Sequence, residues 1–330
     1  MVIRNRILPT ALLCLLSVTA CGTSAGGSGT DATASGAVTS LKVGTSPALT
    51  NASLYLAAED GTFARNHVKV TPQVLNSGAQ AVPLLLNGQI QFAASDPLSA
   101  LVAIANNTSL VIVAQGPVVP ENSADDPTGL LVPKDSSMRE ATGTAGKTIA
   151  INALNSVSEV SMKAGIDALG GDSSKVKFVE VPFAQMVDAV TAGRVDAVGT
   201  TEPYVTEGTE KGLVRASYGG LSQTMGGVPQ LVYLASESYA DSNPSVVKSF
   251  ADSITAANGA LENDPEKIRT VGAESTSVPA SVLDKITLPT FIASGLTLDQ
   301  LTRLQDLMVK YGVIDKPVPE LAQHVITATG

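Results

Sequence analysis

The chain has 330 residues, 44% of them hydrophobic, and 30 Asp and Glu outnumber 21 Lys and Arg for a net charge of −9. An acidic chain with no Lys/Arg cluster argues against nucleic acid, or anionic lipid recognised through its headgroups, as partners. Tryptophan is absent and aromatics make up 4%, which argues against broad stacking platforms for sugars or bases, while two histidines and two cysteines leave little for a transition-metal site. No metal, no cofactor and no catalytic residue are expected.

The N-terminus opens with Arg4 and Arg6, followed by an apolar run over residues 7–20 that ends in Val18-Thr19-Ala20-Cys21. The run is shorter than the roughly 20 residues a membrane-spanning helix needs, and it fits a secretory signal with small residues before the cut. A branched apolar residue and two small ones before a cysteine resemble the lipobox of bacterial lipoproteins, whose cysteine thiol takes up diacylglycerol. An ordinary signal peptide with an incidental cysteine is the alternative. Cys14 lies in the removed segment, so a mature chain retains Cys21 without a partner for an internal disulfide. Residues 1–20 are therefore expected to be a lipoprotein signal peptide and Cys21 the lipidated first residue. Two or more acyl chains hold a protein stably on a membrane, which places the protein outside the cytoplasm, anchored to the cell membrane through lipid.

Residues 22–38, GTSAGGSGTDATASGAV, carry almost nothing apolar larger than alanine. Such a segment cannot offset its ordering entropy and reads as a flexible tether, with an r.m.s. reach of roughly 20 to 25 Å. The remaining chain, from about residue 39, exceeds the size at which one core usually divides into two.

Short β-branched runs then alternate with helical patterns, which predicts α/β units with largely parallel sheet. Strands are predicted over 40–44, 68–75, 90–94, 110–114, 129–133, 147–151, 176–181, 197–199, 213–216 and 229–235. Between them, Leu54, Ala57 and Ala58 share one helical face, as do Val157, Val160, Met162 and Ala164 with Ile166 and Leu169. The last third predicts helices over 244–261, 265–273, 278–286 and 298–311, with Asn, Asp, Ser or Thr near their starts. A helical tail after two α/β blocks is expected to return to the first of them.

Two segments look like versions of one unit. Residues 76–88 (NSGAQAVPLLLNG) precede Ile90-Gln91-Phe92-Ala93, and residues 183–193 (FAQMVDAVTAG) precede Val195-Asp196-Ala197-Val198. Each predicts a helix that ends at a glycine cap, with a strand directly after it.

Five further segments, VGTSPALTNASLYLAAEDGTFARNHVKV, GQIQFAASDP, GLLVPKDS, GKTIAINALNSVSEVSMKAGIDALG and AGRVDAVGTTEPY, occur in register along the chain. Together they resemble the solute-binding proteins of the nitrate, sulfonate, taurine and thiamine-precursor ABC importers. The resemblance implies an α/β, two-lobed type II periplasmic-binding-protein fold with two interlobe crossovers and a helical C-terminal part. Lobe 1 is placed at 39–114 plus 232–330 and lobe 2 at 115–231. It also implies permease and ATPase subunits as partners, a small-molecule solute in the interlobe cleft, and a monomer.

Ligands of open α/β sheets sit beyond the carboxyl ends of the strands, where helix N-termini direct N–H groups and partial positive charge inward. The loops there offer Ser46, Ser77, Gly78, Ser95, Asp96, Asn152, Asn155, Ser156, Thr201, Glu202 and Tyr204 as candidate ligand contacts. Each Ser, Thr or Asn taken singly is also a possible helix cap. Many proteins of the resembled family carry an aromatic residue just before the Glu/Asp-Pro pair, whereas this chain has Thr201 before Glu202-Pro203-Tyr204. The loops contain no Lys or Arg, yet Asp96, Glu159 and Glu202 lie in or beside them. This tilts the expected ligand toward one with N–H donors, an aminopyrimidine or amino-sulfonate such as taurine, over nitrate or a simple sulfonate. Asp96 and Glu202 can equally cap helices or accept from backbone N–H groups.

An enzyme is the competing class, because a fungal family of the same fold builds the thiamine pyrimidine with a lysine and histidines. Here neither His67, where a strand begins, nor His324, in the tail, falls in the cleft loops, and no Ser-His-Asp, GxSxG or HExxH arrangement occurs. A ligand-sensing module coupled to a receptor is the third reading.

Overall fold

The computed structural model describes residues 38–326 apart from 47, 76, 77 and 277. The signal segment, Cys21, most of the tether and Ser77 lie outside the described residues.

The chain starts with β1 (Thr39–Thr45), α1 (Ala52–Glu59), α2 (Thr62–Arg65), β2 (Val68–Val74), α3 (Gly78–Leu86), β3 (Phe92–Ser95), α4 (Pro97–Ala105) and β4 (Leu110–Gln115). It then enters a second block of β5 (Thr128–Val132), β6 (Thr148–Ile151), α5 (Val157–Ala168), β7 (Lys177–Glu180), α6 (Phe183–Thr191), β8 (Ala197–Thr201), α7 (Tyr204–Glu210), β9 (Val214–Arg215) and α8 (Ser222–Met225). It returns through β10 (Val232–Ser236) to α9 (Glu237–Ser242), α10 (Pro244–Asn263), α11 (Glu266–Ser275), α12 (Ala280–Leu283) and α13 (Leu298–Lys310). All ten predicted strands are present, and the four predicted C-terminal helices are α10 to α13.

Two five-stranded sheets result, ordered β2-β1-β3-β10-β4 and β7-β6-β8-β5-β9. They are the same arrangement: a parallel trio whose third strand lies next to one antiparallel strand, followed by an edge strand. The sheets are mixed, not largely parallel. β10 runs antiparallel to β3 and β4, and β5 antiparallel to β8 and β9. The reason is topological. β5 and β10 are the strands entered directly from the two crossovers, so each runs against the strands built by βα units.

The crossovers pair with each other. Gly116 N donates to Leu231 O, Val119 N to Val228 O and Gln230 N to Pro117 O, each at 2.8 Å. Residues 229–231, predicted as strand, are used in this pairing. A third segment joins where Val118 N donates to Thr290 O at 2.8 Å.

On one face of the first sheet Phe92 stacks on Phe250 with ring centroids 4.0 Å apart, Phe250 stacks on Phe63 at 5.6 Å, and Tyr233 meets Phe250 edge-on at 5.5 Å. α10 therefore packs on the sheet that β1 begins, as expected of the returning tail. On the other face, Leu98 and Leu101 of α4 pack with Leu304 and Met308 of α13, and Val157 and Val160 of α5 belong to the same buried cluster. The second sheet is covered by Met162 and Ile166 on one face and by Met186, Val187 and Val190 on the other. Two predicted core residues face solvent: Ala58 is exposed and Leu169 is 52% exposed. Leu169 is the C-cap of α5, where the helical face has already turned away from the sheet.

The duplicated unit is present in both sheets. α3 is followed by Gly88 with φ +69° and α6 by Gly193 with φ +68°, and each leads into the third strand of its trio. A left-handed residue there costs a side chain about 1 to 2 kcal/mol, which glycine avoids.

Candidate functional site

The carboxyl end of β3 meets the start of α5, the helix after β6, across the junction of the two sheets. The contact is direct at Asp96. This residue is the N-cap of α4, with Pro97 at the first helical position. Its Oδ1 accepts from Leu98 N at 2.9 Å and Ser99 N at 3.0 Å, and its Oδ2 accepts from Val157 N, the first residue of α5, at 3.1 Å. Burial pushes its carboxyl up to about 6, against the opposing pull of the Ser99, Val157 and Leu98 N–H groups.

Glu202 occupies the matching place after β8. It is buried; Oε2 accepts from Thr206 N at 3.0 Å, and Oε1 accepts from Thr206 Oγ1 at 3.0 Å and Thr287 N at 3.2 Å. Its carboxyl too is raised by burial, opposed by the Thr206 and Thr287 N–H groups.

The loop after β6 is held by further carboxylates. Glu159 Oε2 accepts from Asn155 N at 2.7 Å and pairs through Oε1 with Lys163 at 2.6 Å, while Glu180 Oε1 accepts from Leu154 N at 2.8 Å. Ser156 is fully buried, caps α5 by accepting from Glu159 N at 3.4 Å and donates to Ala153 O at 2.7 Å. Asn155 takes φ +54°, a left-handed conformation asparagine tolerates better than most residues. Asn152 and Asn155 are exposed, and Asn152 Oδ1 accepts from Ser158 Oγ at 3.4 Å.

After β1, Ser46 is exposed and its hydroxyl accepts from Asn51 Nδ2 at 3.2 Å. Ser95 is buried and donates to Asp96 O at 3.2 Å. Gly78 begins α3. Thr201 is half-buried and donates to Pro127 O at 3.4 Å. The side chains of Asn51 (Oδ1) and Thr200 (Oγ1), in the segments that follow β1 and end β8, are buried without a hydrogen-bond partner.

Residue-by-residue reading missed Phe183. Its ring lies parallel to Tyr204 at 5.9 Å between centroids, with 8° between planes. Phe183 opens the helix after β7 as Tyr204 opens the helix after β8, and both are half-buried. An aromatic pair is thus formed on the second sheet, packed against its buried cluster, although no aromatic directly precedes the Glu202-Pro203 pair. The backbone donors Val157 and Thr287 were missed as well, since an N–H carries no residue signature.

Among the described residues no group of three or more His, Cys, Asp or Glu could hold a metal ion, and no helix is long and apolar enough to cross a membrane.

A family model described as NMT1/THI5 like matches residues 49–268. A search of curated proteins gives no match. The alkanesulfonate-binding protein SsuA of Xanthomonas axonopodis pv. citri, solved bound to MOPS, superposes with a TM-score of 0.70 at 22% identity, over 87% of this chain and 98% of that one. The periplasmic nitrate-binding protein NrtA of Synechocystis PCC 6803 gives 0.61 at 17% identity, over 74% and 69%. The desulfurization enzyme DSZB gives 0.62 at 15% identity, over 88% and 97%. These likenesses show the fold: two α/β halves of the periplasmic-binding-protein type, used by binding proteins and by an enzyme.

Proposed function

The chain belongs to the NMT1/THI5-like family, and on that premise we propose that it is the solute-binding component of an ABC importer. It binds one small polar organic solute between the two halves, 39–114 plus 232–330 and 115–231, without chemical turnover. The observation that carries this reading is the junction itself. Two sheets of identical strand order meet where Asp96, at the end of β3, takes the first N–H of α5, and unpartnered Asn51 and Thr200 oxygens lie in the segments that follow β1 and end β8.

Within the junction, exposed Ser46, Asn152 and Asn155 and half-buried Thr201 and Tyr204 are the proposed ligand contacts, with Gly78 at the start of α3; Ser77, outside the described residues, is proposed with them. The Phe183–Tyr204 pair offers a planar face. The carboxylates Asp96, Glu159, Glu180 and Glu202 already satisfy backbone N–H groups at several loop and helix starts. An anionic solute would have to compete with them for those donors, so the favoured solute carries N–H donors on a planar or amino-bearing body, such as an aminopyrimidine or taurine.

The enzyme reading has a fold precedent in DSZB. Against it, the described residues contain no cysteine, and His67 and His324 lie away from these loops, His324 beside Glu237 at 3.2 Å. A thermal-shift screen of aminopyrimidines, taurine, alkanesulfonates and nitrate, with product analysis of each hit, separates the two. Stabilisation with the solute recovered unchanged is expected, and conversion of the solute by pure protein overturns the reading.

Attachment to the outer face of the membrane through Cys21 completes the proposal. Mass spectrometry of the mature protein is expected to find a diacylated Cys21 as the first residue, and Cys21→Ala is expected to be unprocessed or released. An unmodified Cys21 contradicts it.

A further inference from the structure

The two carboxylates at the junction stand in equivalent places. Asp96 follows β3 and Glu202 follows β8, each the third strand of its parallel trio, and each precedes a proline and a helix. Each accepts from the N-terminal N–H groups of that helix, Leu98 and Ser99 for Asp96 and Thr206 for Glu202. Each also reaches across to the other half. Asp96 of the first half takes Val157 N of α5, whereas Glu202 of the second half takes Thr287 N, in a segment whose neighbours Ile286 and Phe291 pack with Leu49 and Ala52 of the first half. A duplicated unit has therefore produced two cross-connections of opposite sense. The Glu202 connection has support beside it, since Lys285 is paired with Glu210 of α7.

We propose that Asp96 and Glu202 are a reciprocal pair of positioning residues that fasten the two halves, so that opening the junction requires both connections to release together. This rests on the solute-binding reading for its purpose and concerns regulation of the same site. The bonds to its own helix make each carboxylate a fixed post, so little side-chain entropy is lost when the second N–H is captured. Backbone donors rather than side chains complete the link, which makes it insensitive to which solute occupies the junction.

Two substitutions cut the first link from opposite ends. Asp96→Ser keeps a capping oxygen for α4 but lacks the second oxygen that meets α5. Val157→Pro leaves Asp96 and its cap intact and removes the donor, at the first helical position where proline is well suited; Ser156 before it already has the extended φ −111°, ψ 168° that proline requires of its predecessor. Hydrogen exchange is read at the distant Thr287 amide, on the other link, and small-angle scattering reads the separation of the halves. Each variant is expected to speed exchange at Thr287 by about tenfold or more, the effect of losing one charge-assisted hydrogen bond, and to enlarge the radius of gyration. The double variant is expected to match the single ones. Should Asp96→Ser fail to fold, Val157→Pro alone decides. If both variants leave Thr287 exchange at the wild-type rate, or if only Leu98 and Ser99 accelerate as for a lost helix cap, the pairing is refuted. Absence of bound solute in calorimetry would remove the binding reading while leaving the exchange result in place, so the two failures are distinguishable.

Discussion

Asp96 has a titration consequence of definite sign. Its carboxyl is pushed up to about 6 in the folded chain, against about 3.9 in an unfolded one. The folded state thus binds this proton more tightly, and the stability that follows is fully present below about pH 4 and lost as pH rises through about 6. Glu202 is raised by the same cause and acts in the same direction. The melting temperature of the wild type minus that of Asp96→Asn is expected to fall between about pH 4 and pH 7 and to level off above. A difference that climbs with pH would contradict the burial of this carboxylate. At Ser156 the structure predicts a purely local role: Ser156→Ala is expected to cost about 1 kcal/mol through loss of the α5 cap. Chemical denaturation measures it, and a loss within error would mean that the hydroxyl does not cap.

At the level of elements, the strands were legible because each is a short β-branched run closed by Gly, Pro, Asn or Ser. The hairpin-free connections implied βα units for the same reason. Strand direction was not legible for β5 and β10, because direction depends on how the chain re-enters a sheet and not on its local pattern. The helical face containing Val157, Val160, Met162 and Ile166 was legible to its last turn, where Leu169 leaves the core. In the junction, loop positions could be read from where strands stop. Their partners could not, since Val157 and Thr287 contribute backbone N–H groups and Phe183 opens a different helix from the one that follows the Glu-Pro pair. The glycines that end α3 and α6 give an independent check on the duplicated unit. Gly88 and Gly193 both have positive φ with open space where a Cβ would stand, so alanine pays only for the backbone. Gly88→Ala and Gly193→Ala are each expected to lose about 1 to 2 kcal/mol, and the losses to add because they sit in different sheets. Urea unfolding of the single and double variants tests this, with unchanged stability as the contrary result.

Across the whole molecule, the aromatic stack of Phe63, Phe92, Phe250 and Tyr233 fixes the returning helix α10 to the first sheet. Phe250→Ala is expected to cost about 3 to 5 kcal/mol, measured by urea unfolding, and a loss within error would mean that the stack does not hold α10. The halves themselves are joined by the paired crossovers, by the link from Val118 to Thr290 and by the two carboxylate links. The proposed capture of a small solute would require the junction to yield while both sheets stay rigid. The most direct test is isothermal titration calorimetry of the intact protein against taurine, methanesulfonate, nitrate and an aminopyrimidine. Saturable binding of one solute per chain is expected, strongest for a member bearing N–H donors and with the solute recovered unchanged. Heat that continues with turnover, or no saturation by any of the four, would contradict a solute-binding role for this junction.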